Sequence, residues 1–169
     1  MTSSTTKFKQ NEIGKIPEEW EVKTIDEIKS GAKSALAMGP FGSNIKKEFF
    51  VKEGVPIIRG NNLTSYRFLD DDFVYLTEEK ADELRSSNCH PGDIVITHRG
   101  TLGQVGLIPR RSRFRRYVIS QSGMKLSCDE LQALSEYVFY FLKSPIGQRL
   151  LLRNTSQTGV PAIAQPLTS

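Results

Sequence analysis

The amino-acid sequence predicts a single α+β domain, with a twisted mixed and antiparallel β-sheet core, β-hairpins and packed helices. Runs of β-branched residues bounded by Gly and Pro predict strands, above all between Gly92 and Gln121. Capping signals predict several helices. Strands and helices follow one another in mixed order rather than alternating, which favours α+β over a parallel α/β fold. A length of 169 residues suits one domain with its own core.

The first third of the chain is predicted to hold a tail, a short helix and two polar loops. Residues 1–13 are expected to form a flexible tail ahead of a domain that spans residues 14–155. Thr24 begins a Thr-Ile-Asp-Glu sequence that resembles a capping box, so a short helix should follow it. Residues 39–44 (Gly-Pro-Phe-Gly-Ser-Asn) are a strong turn signal. Residues 55–59 predict a buried strand, which ends in a polar tip.

The centre of the chain is predicted to form β-hairpins. A strand at 73–76 precedes a helix that Thr77 caps and that ends near Asn88. Three more strands are expected at 94–97, 104–108 and 117–121. The loops that join these three strands are polar, and they place Arg99–Gly103 and Pro109–Arg116 at hairpin tips.

The last part of the chain is predicted to be helical and then loop-like. Asp129 is expected to begin a helix, and Ser144 with Pro145 should begin a second one by a cap followed by proline. Residues 156–169 are expected to form a loop segment. Apolar residues recur at helical spacing in the first helix and predict a buried stripe: Leu131, Leu134, Val138, Phe141 and Leu142.

Charge is distributed unevenly along the chain. The net charge is only +4. Residues 67–83 nevertheless contain seven acidic and two basic residues, whereas residues 94–128 contain seven basic residues and none that is acidic. This segregation predicts two faces of opposite sign.

Several classes of function are poorly supported by the residues. The two histidines lack the spacing of metal ligands, so no metal and no cofactor are expected. Gly100, Gly103 and Gly106 have the spacing G-x-x-G-x-x-G, which suits a hairpin better than a nucleotide-binding loop. Two isolated cysteines, no apolar leader and no long apolar run predict a cytoplasmic protein without a membrane span.

An enzymatic alternative remains open at this stage. Asp72, Glu78 and Lys80 have the residue types of a carboxylate–lysine site, as in a magnesium-dependent DNA nuclease. These residues fall in the acidic region, where DNA would be repelled. A third alternative is a protein-interaction module that does not bind DNA.

Nucleic-acid binding is the function that most of the polar tips favour. Arginine binds phosphate or guanine bidentately, and Asn, Thr and Gln suit base edges or phosphates. Arg59, Arg99 and the arginines of residues 110–116 would hold phosphates, although Arg99 also suits a guanine edge. A solvated loop without DNA contacts is the alternative for residues 110–116. The full set of candidate DNA-binding residues is Asn44, Lys46, Lys47, Arg59, Asn61, Asn62, Arg99, Thr101, Gln104, Arg110, Arg111, Arg113, Arg115 and Arg116.

The sequence resembles the target recognition domains of the specificity (S) subunits of type I restriction–modification systems. The central motif is Gly-Asp-Ile-Val-Ile-Thr-His-Arg-Gly-Thr-Leu-Gly-Gln-Val-Gly at residues 92–106. Other short pieces match in the same order, at residues 16–20, 39–43, 54–62, 119–121, 140–148 and 159–163. The resemblance covers about residues 14–169. It rests on all of these short pieces occurring together in the same order, which is more specific than any single piece.

The resemblance implies a non-catalytic, sequence-specific reader of double-stranded DNA. Each such domain reads one half of a bipartite target, with Asn61, Asn62, Thr101 and Gln104 expected near bases. Long helices that follow each domain in the family dock methyltransferase (modification) and restriction subunits. This chain holds one domain and stops at Ser169, before the family's long spacer helix, so the resemblance leaves docking of these partners to this chain open.

Overall fold

The computed structural model describes residues 7–153, 155–156 and 162–163. The strands in this part of the chain are β1 (Phe8–Asn11), β2 (Gly14–Pro17), β3 (Leu36–Met38), β4 (Val55–Ile58), β5 (Val74–Leu76), β6 (Asn88–Cys89), β7 (Ile94–Thr97), β8 (Val105–Leu107), β9 (Tyr117–Ile119), β10 (Gly123–Leu126), β11 (Thr155–Ser156) and β12 (Ala162–Ile163). The α-helices are α1 (Ile25–Ile28), α2 (Glu78–Glu83), α3 (Ser135–Lys143) and α4 (Pro145–Leu152). Short 3-10 helices lie at Gly42–Asn44, Lys47–Phe49, Gly60–Leu63 and Arg85–Ser87.

Two four-stranded sheets form the centre of the fold. The first has the order β3-β10-β7-β8 and is antiparallel throughout. The second has the order β5-β4-β9-β6, in which β4 and β9 are parallel and the outer strands antiparallel. The pairs β1–β2 and β11–β12 form two separate two-stranded sheets. The predicted α+β class with a mixed and antiparallel core is confirmed.

The apolar core is layered because strand side chains alternate between two faces. In β7, Ile94 and Ile96 pack with α3, whereas Val95 packs with residues of the second sheet. In β9, Ile119 faces the first sheet and Val118 faces the apolar side of α2. Both sheets are therefore buried on two faces, and α3 and α2 cover the outer faces. Such a core fixes the strand register, and with it the positions of the loops.

The helix caps form as the sequence predicts. Thr24 accepts a hydrogen bond from the Glu27 amide, and the Glu27 carboxylate accepts one from the Thr24 amide. The Thr77 and Ser144 side chains cap α2 and α4 by the same kind of bond. These three predicted caps are therefore confirmed, although α2 ends at Glu83, well before Asn88.

The predicted apolar stripe is confirmed at Val138 and Leu142 and wrong at its other positions. The helix begins at Ser135, not at Asp129, and the residues of α3 buried in the core are Val138, Phe139 and Leu142. Phe141 is only partly buried. Leu131 and Leu134 are 94% and 59% exposed because they precede the first helical turn.

Parts of both predicted terminal segments form strands. Residues 8–11, assigned to the tail 1–13, form β1 and pair with β2. The turn between them is stabilised by the Asn11 side chain, which accepts a hydrogen bond from the Ile13 amide at 3.0 Å, and by Gly14 at a φ of +118°. Within the expected loop segment 156–169, residues 156 and 162–163 belong to β11 and β12. Residues 1–6 and the rest of that segment lie outside the described residues.

None of the helices in the described ranges has the length and apolar character that crossing a membrane requires.

Candidate nucleic-acid interface

The polar loops of the chain meet around the turn Ser120–Ser122, which joins β9 to β10 and which we call the central turn. The Ser120 amide donates to the Ile58 carbonyl at 2.9 Å, at the end of the parallel strand β4. The His98 amide donates to the Ser122 carbonyl at 2.8 Å, just after β7. The carboxyl ends of β4, β7 and β9 therefore lie together. We call the residues there, 39–44, 59–63, 98–104 and 120–122, the loop edge.

The first loop of this edge, residues 39–44, approaches the central turn closely. The Gly39 amide donates to the Gly123 carbonyl at 2.8 Å. A Cβ atom on Gly39 would overlap the Ser120 carbonyl oxygen, and one on Gly42 would lie 2.5 Å from Oε1 of Gln121. Only glycine fits against the Ser120 backbone, so Gly39 fixes the position of the loop, whereas Gly42 packs against a side chain that can move. Asn44 ends this loop and is exposed, as are Lys46 and Lys47 that follow it.

The second loop contains two neighbouring asparagines with different roles. Asn62 is fully buried; its Oδ1 accepts from the Arg59 amide at 2.9 Å, and its Nδ2 donates to the Leu69 and Asp71 carbonyls. The expectation that Asn62 lies near bases is wrong, because it braces the loop from inside. Asn61 is exposed and donates to the Asp72 carboxylate at 2.9 Å.

Arg59 is held by the same segment. Its Nη2 donates to the Asp72 carbonyl at 2.9 Å and lies 3.9 Å from the Asp72 carboxylate. The Asp72 side chain is 81% exposed and its φ is +52°. Arg59 is therefore partly neutralised on the loop edge.

The third loop, residues 98–104, is a tight hairpin connection. The Thr97 hydroxyl donates to the Thr101 carbonyl and accepts from the Gln104 amide. Gly100 and Gly103 adopt φ values of +74° and +76°, which glycine allows without strain. Thr101 is exposed, and Oε1 of Gln104 lies 3.1 Å from the position of a Cβ atom on Gly60, so the second and third loops are in contact.

Arg99 is an exposed cation at the tip of the third loop, and it makes no ion pair with an acid of the described residues. The adjacent His98 is 3% exposed. Burial, and then the charge of Arg99, lower the pKa of His98 from its usual 6.5. His98 is therefore neutral at physiological pH, and Arg99 carries the charge of this tip.

The arginines of residues 110–116 lie in the connection from β8 to β9, which we call the arginine loop. This connection is at the end of β9 opposite to the loop edge. Three of them contact acids from distant segments. Arg110 pairs with Glu130 at 2.9 Å and with Glu136 at 3.1 Å. The hydrogen bonds to these two glutamates raise the pKa of Arg110, and the bond to Glu136 has the larger effect. Arg111 and Arg115 are exposed and make no ion pair within the described ranges.

The other two of these three arginines contact the acidic segment itself, Arg116 through ion pairs and Arg113 through its backbone amide and a backbone carbonyl. Arg116 pairs with Asp82 at 2.8 Å and with Glu78 at 3.4 Å. The Arg113 amide donates to the Asp70 carboxylate at 2.6 Å, and Nη1 of Arg113 donates to the Asp70 carbonyl at 3.2 Å. The prediction of two faces of opposite sign is therefore wrong for these segments, because the fold places acids against the arginine loop.

The candidate residues of the nuclease alternative have separate partners. Asp72 contacts Arg59 and Asn61, and Glu78 contacts Arg116. Lys80 donates to Glu83 at 2.7 Å. The described residues contain no group of three or more His, Cys, Asp or Glu side chains that could hold a metal ion. Nothing in this geometry supports a carboxylate–lysine site.

The candidate set thus divides between two places. The loop edge contains Asn44, Arg59, Asn61, the buried Asn62, Arg99, Thr101 and Gln104. Lys46 and Lys47 follow its first loop, and Arg110–Arg116 lie apart from it. The sequence candidates omit the central turn Ser120–Ser122 and the exposed Phe41. The signal for both was present, because residues 119–121 and 39–43 are two of the short pieces that carry the family resemblance.

Comparison with known proteins agrees with the resemblance. No family model matches the chain. The Type I restriction enzyme MjaIX specificity subunit of Methanocaldococcus jannaschii is 27% identical over 146 residues, which cover 82% of this chain and 30% of that protein. The chain therefore spans less than a third of the length of this relative. The predicted resemblance to type I specificity subunits is confirmed.

Two solved structures share the fold. A chain from a type I restriction–modification system superposes with a TM-score of 0.60 at 15% identity, covering 88% of this chain and 32% of that chain. The S subunit of a type I restriction–modification system from M. genitalium gives a TM-score of 0.51 at 19% identity, over 84% of this chain and 30% of that one. The α+β arrangement is thus one that specificity subunits contain.

Proposed function

We propose that this chain binds double-stranded DNA in a sequence-specific manner, as one target recognition domain that reads half of a bipartite site. The observation that carries the proposal is the loop edge. Three loops meet there around the turn Ser120–Ser122, and they present Arg99, Asn61, Thr101 and the partly exposed Gln104. The similarity to type I specificity subunits supports the same function.

Arg99 is the first candidate for a base reader. It is exposed, without an acid partner in the described ranges, and its neighbour Gly100 has no side chain to limit close approach. Arginine binds the O6 and N7 atoms of guanine bidentately in the major groove. Asn61, Thr101 and Gln104 lie on the same edge and offer amide and hydroxyl groups to neighbouring bases.

Phosphate contacts are assigned to the cations that remain available. Lys47 follows the first loop, and Arg111 and Arg115 are exposed in the arginine loop. Lys46 lies beside Lys47 but is partly neutralised, because its Nζ is 3.9 Å from the Glu48 carboxylate. Arg110 and Arg116 are already bound by two acids each, so their role is to hold the loop to α3 and α2. Arg113 has both roles: its bonds to Asp70 hold the loop in place, and its exposed side chain also contacts phosphate.

The domain acts without catalysis of its own, in the cytoplasm. Methyl transfer and cleavage belong to separate modification and restriction subunits, to which the longer relatives' architecture would connect such a domain. Incubation of the purified chain with DNA, magnesium and a methyl donor should leave the DNA intact and unmethylated. Cleavage that disappears in Glu78→Gln would instead support the nuclease alternative.

Selection of bound duplexes from a randomised library, followed by titration, tests the proposal. The wild type should enrich one short sequence. Arg99→Ala should lose about 1–3 kcal/mol on that sequence and much less on a scrambled duplex. Arg110→Ala is the matched control, because it removes the same charge from an exposed residue that acids already bind. Absence of any enriched sequence, or equal losses on both duplexes in Arg99→Ala, would contradict sequence-specific reading through this edge.

A further inference from the structure

One large side chain of the loop edge is apolar and mostly exposed to solvent. Phe41 is 81% exposed, more than any other aromatic side chain of the described residues. A single exposed hydrophobic residue is ordinary on a protein surface, so exposure alone assigns it no role. Its setting distinguishes it, since Phe41 stands in the loop whose glycines fit against the central turn.

The backbone that carries Phe41 is held on both sides. Pro40 before it is buried, and Gly39 is bonded to Gly123. After it, the Asn44 amide donates to the Phe41 carbonyl at 2.8 Å and closes a 3-10 turn. The aromatic ring has only two rotatable bonds, so ordering it on a fixed backbone costs little entropy when it binds a partner.

The position of the loop relates Phe41 to the polar side chains of the interface. Gly42, next to Phe41, lies against the side chain of Gln121. Gln121 belongs to the same turn that receives the His98 amide, and His98 precedes Arg99. The ring is therefore carried by a loop of the edge that holds the proposed base readers.

We propose that Phe41 contacts the apolar surface of a DNA base, either a thymine methyl group or the face of an unstacked base. This inference rests on the proposed function. Apolar side chains read thymine methyl groups in the major groove, and phenylalanine wedges open base steps in other DNA-binding proteins. A contact of this kind neutralises no phosphate, so it changes affinity without changing the salt dependence.

The test compares Phe41→Ala with Leu131→Ala on the duplex enriched by the wild-type chain. Leu131 is 94% exposed and follows β10 at the strand end remote from the loop edge, so it is the matched apolar control. Phe41→Ala should weaken binding by about fivefold to a hundredfold with an unchanged log–log salt slope. Phe41→Leu should recover part of the loss, and Leu131→Ala should bind as the wild type does. Equal thermal melting of the variants verifies that the fold is retained.

Two modified duplexes identify the surface that Phe41 touches. Replacing thymine by deoxyuridine removes the methyl group, and 2-aminopurine fluoresces more strongly when a base is unstacked. Loss of the Phe41 effect on the uracil duplex, or a fluorescence rise that Phe41→Ala abolishes, supports the inference. If neither duplex responds, the ring is not on a base and the inference is overturned.

The outcomes separate this inference from the proposed function. If Arg99→Ala loses the enriched sequence while Phe41→Ala binds normally, the domain reads DNA and Phe41 has no part in it. If Phe41→Ala flattens the salt slope, the effect comes from displaced charges, and the apolar contact is overturned. If the wild type enriches no sequence, the proposed function itself fails.

Discussion

The arginine loop offers a direct test of whether intramolecular acids remove arginines from DNA binding. The double variant Arg111→Ala/Arg115→Ala removes two exposed cations that make no ion pair in the described part of the chain. The double variant Arg110→Ala/Arg116→Ala removes two cations that each contact two acids. Both variants lower the net charge of +4 by the same amount, so long-range electrostatics are matched.

The magnitude follows from counterion release. Each phosphate contact contributes about 0.9 to the slope of log affinity against log salt concentration, so two lost contacts flatten the slope by roughly 1.8. Over a fourfold range of salt, such as 50 to 200 mM, a slope change of that size is roughly a 12-fold change in relative affinity. Arg111→Ala/Arg115→Ala should therefore show its largest defect at low salt.

The paired arginines should behave differently. Their guanidinium groups already hold carboxylates at 2.8–3.4 Å, so a phosphate would have to displace these partners. The slope of Arg110→Ala/Arg116→Ala should stay close to that of the wild type. Its cost should fall on stability instead, because it removes four ion pairs that contribute at most about 1 kcal/mol each.

Fluorescence anisotropy on a random duplex at four salt concentrations measures both slopes. A random duplex is suitable because phosphate contacts do not depend on sequence. Thermal melting of each variant verifies that the loop change leaves the fold intact. Equal flattening in the two double variants would refute the reasoning, since it would show that the acids do not compete with DNA. An unchanged slope in both would show that DNA does not reach this loop.

Two further predictions concern the fold. Phe139→Ala should lower the free energy of unfolding by about 3–5 kcal/mol in a urea titration because Phe139 is 6% exposed in the core, whereas Phe141→Ala should lose clearly less; equal losses would mean that the helix phase is wrong. The folded pKa of His98 lies below that of the unfolded chain, so protonation favours unfolding, and stability that is full above about pH 6.5 should fall as the pH is lowered. His98→Gln should reduce this fall between pH 7.5 and 5.5, and an unchanged pH dependence would contradict the assignment.

Local signals predicted much of the fold because they act within a few residues. The Thr24 capping box, the Thr77 cap and the central hairpin depend on neighbours in sequence, and all three form. The parallel pairing of β4 with β9 joins Ile57 to Val118 and leaves no local trace. Since that pairing brings the second loop beside the central turn, the loop edge could be assembled only from the tertiary structure.

The charge pattern failed for the same physical reason. The ion pairs of Arg116 with Asp82 and Glu78 join residues 34 and 38 positions apart. A count of charges along the sequence treats these segments as separate faces. Folding instead brings opposite charges together, because an arginine close to a carboxylate is more stable than two isolated charges.

The glycines of the central motif show how one sequence pattern can serve the interface without binding a nucleotide. Gly100 and Gly103 have positive φ and close the hairpin that presents Arg99. Gly106 has a different task, because a Cβ atom there would overlap the side chain of Leu63 at the end of the second loop. Two glycines thus shape the tip, and the third lets the second loop pack on β8. Their spacing reflects the geometry of a hairpin packed against its neighbouring loop, and this packing fixes the backbone from which Asn61, Gln104 and Arg99 extend.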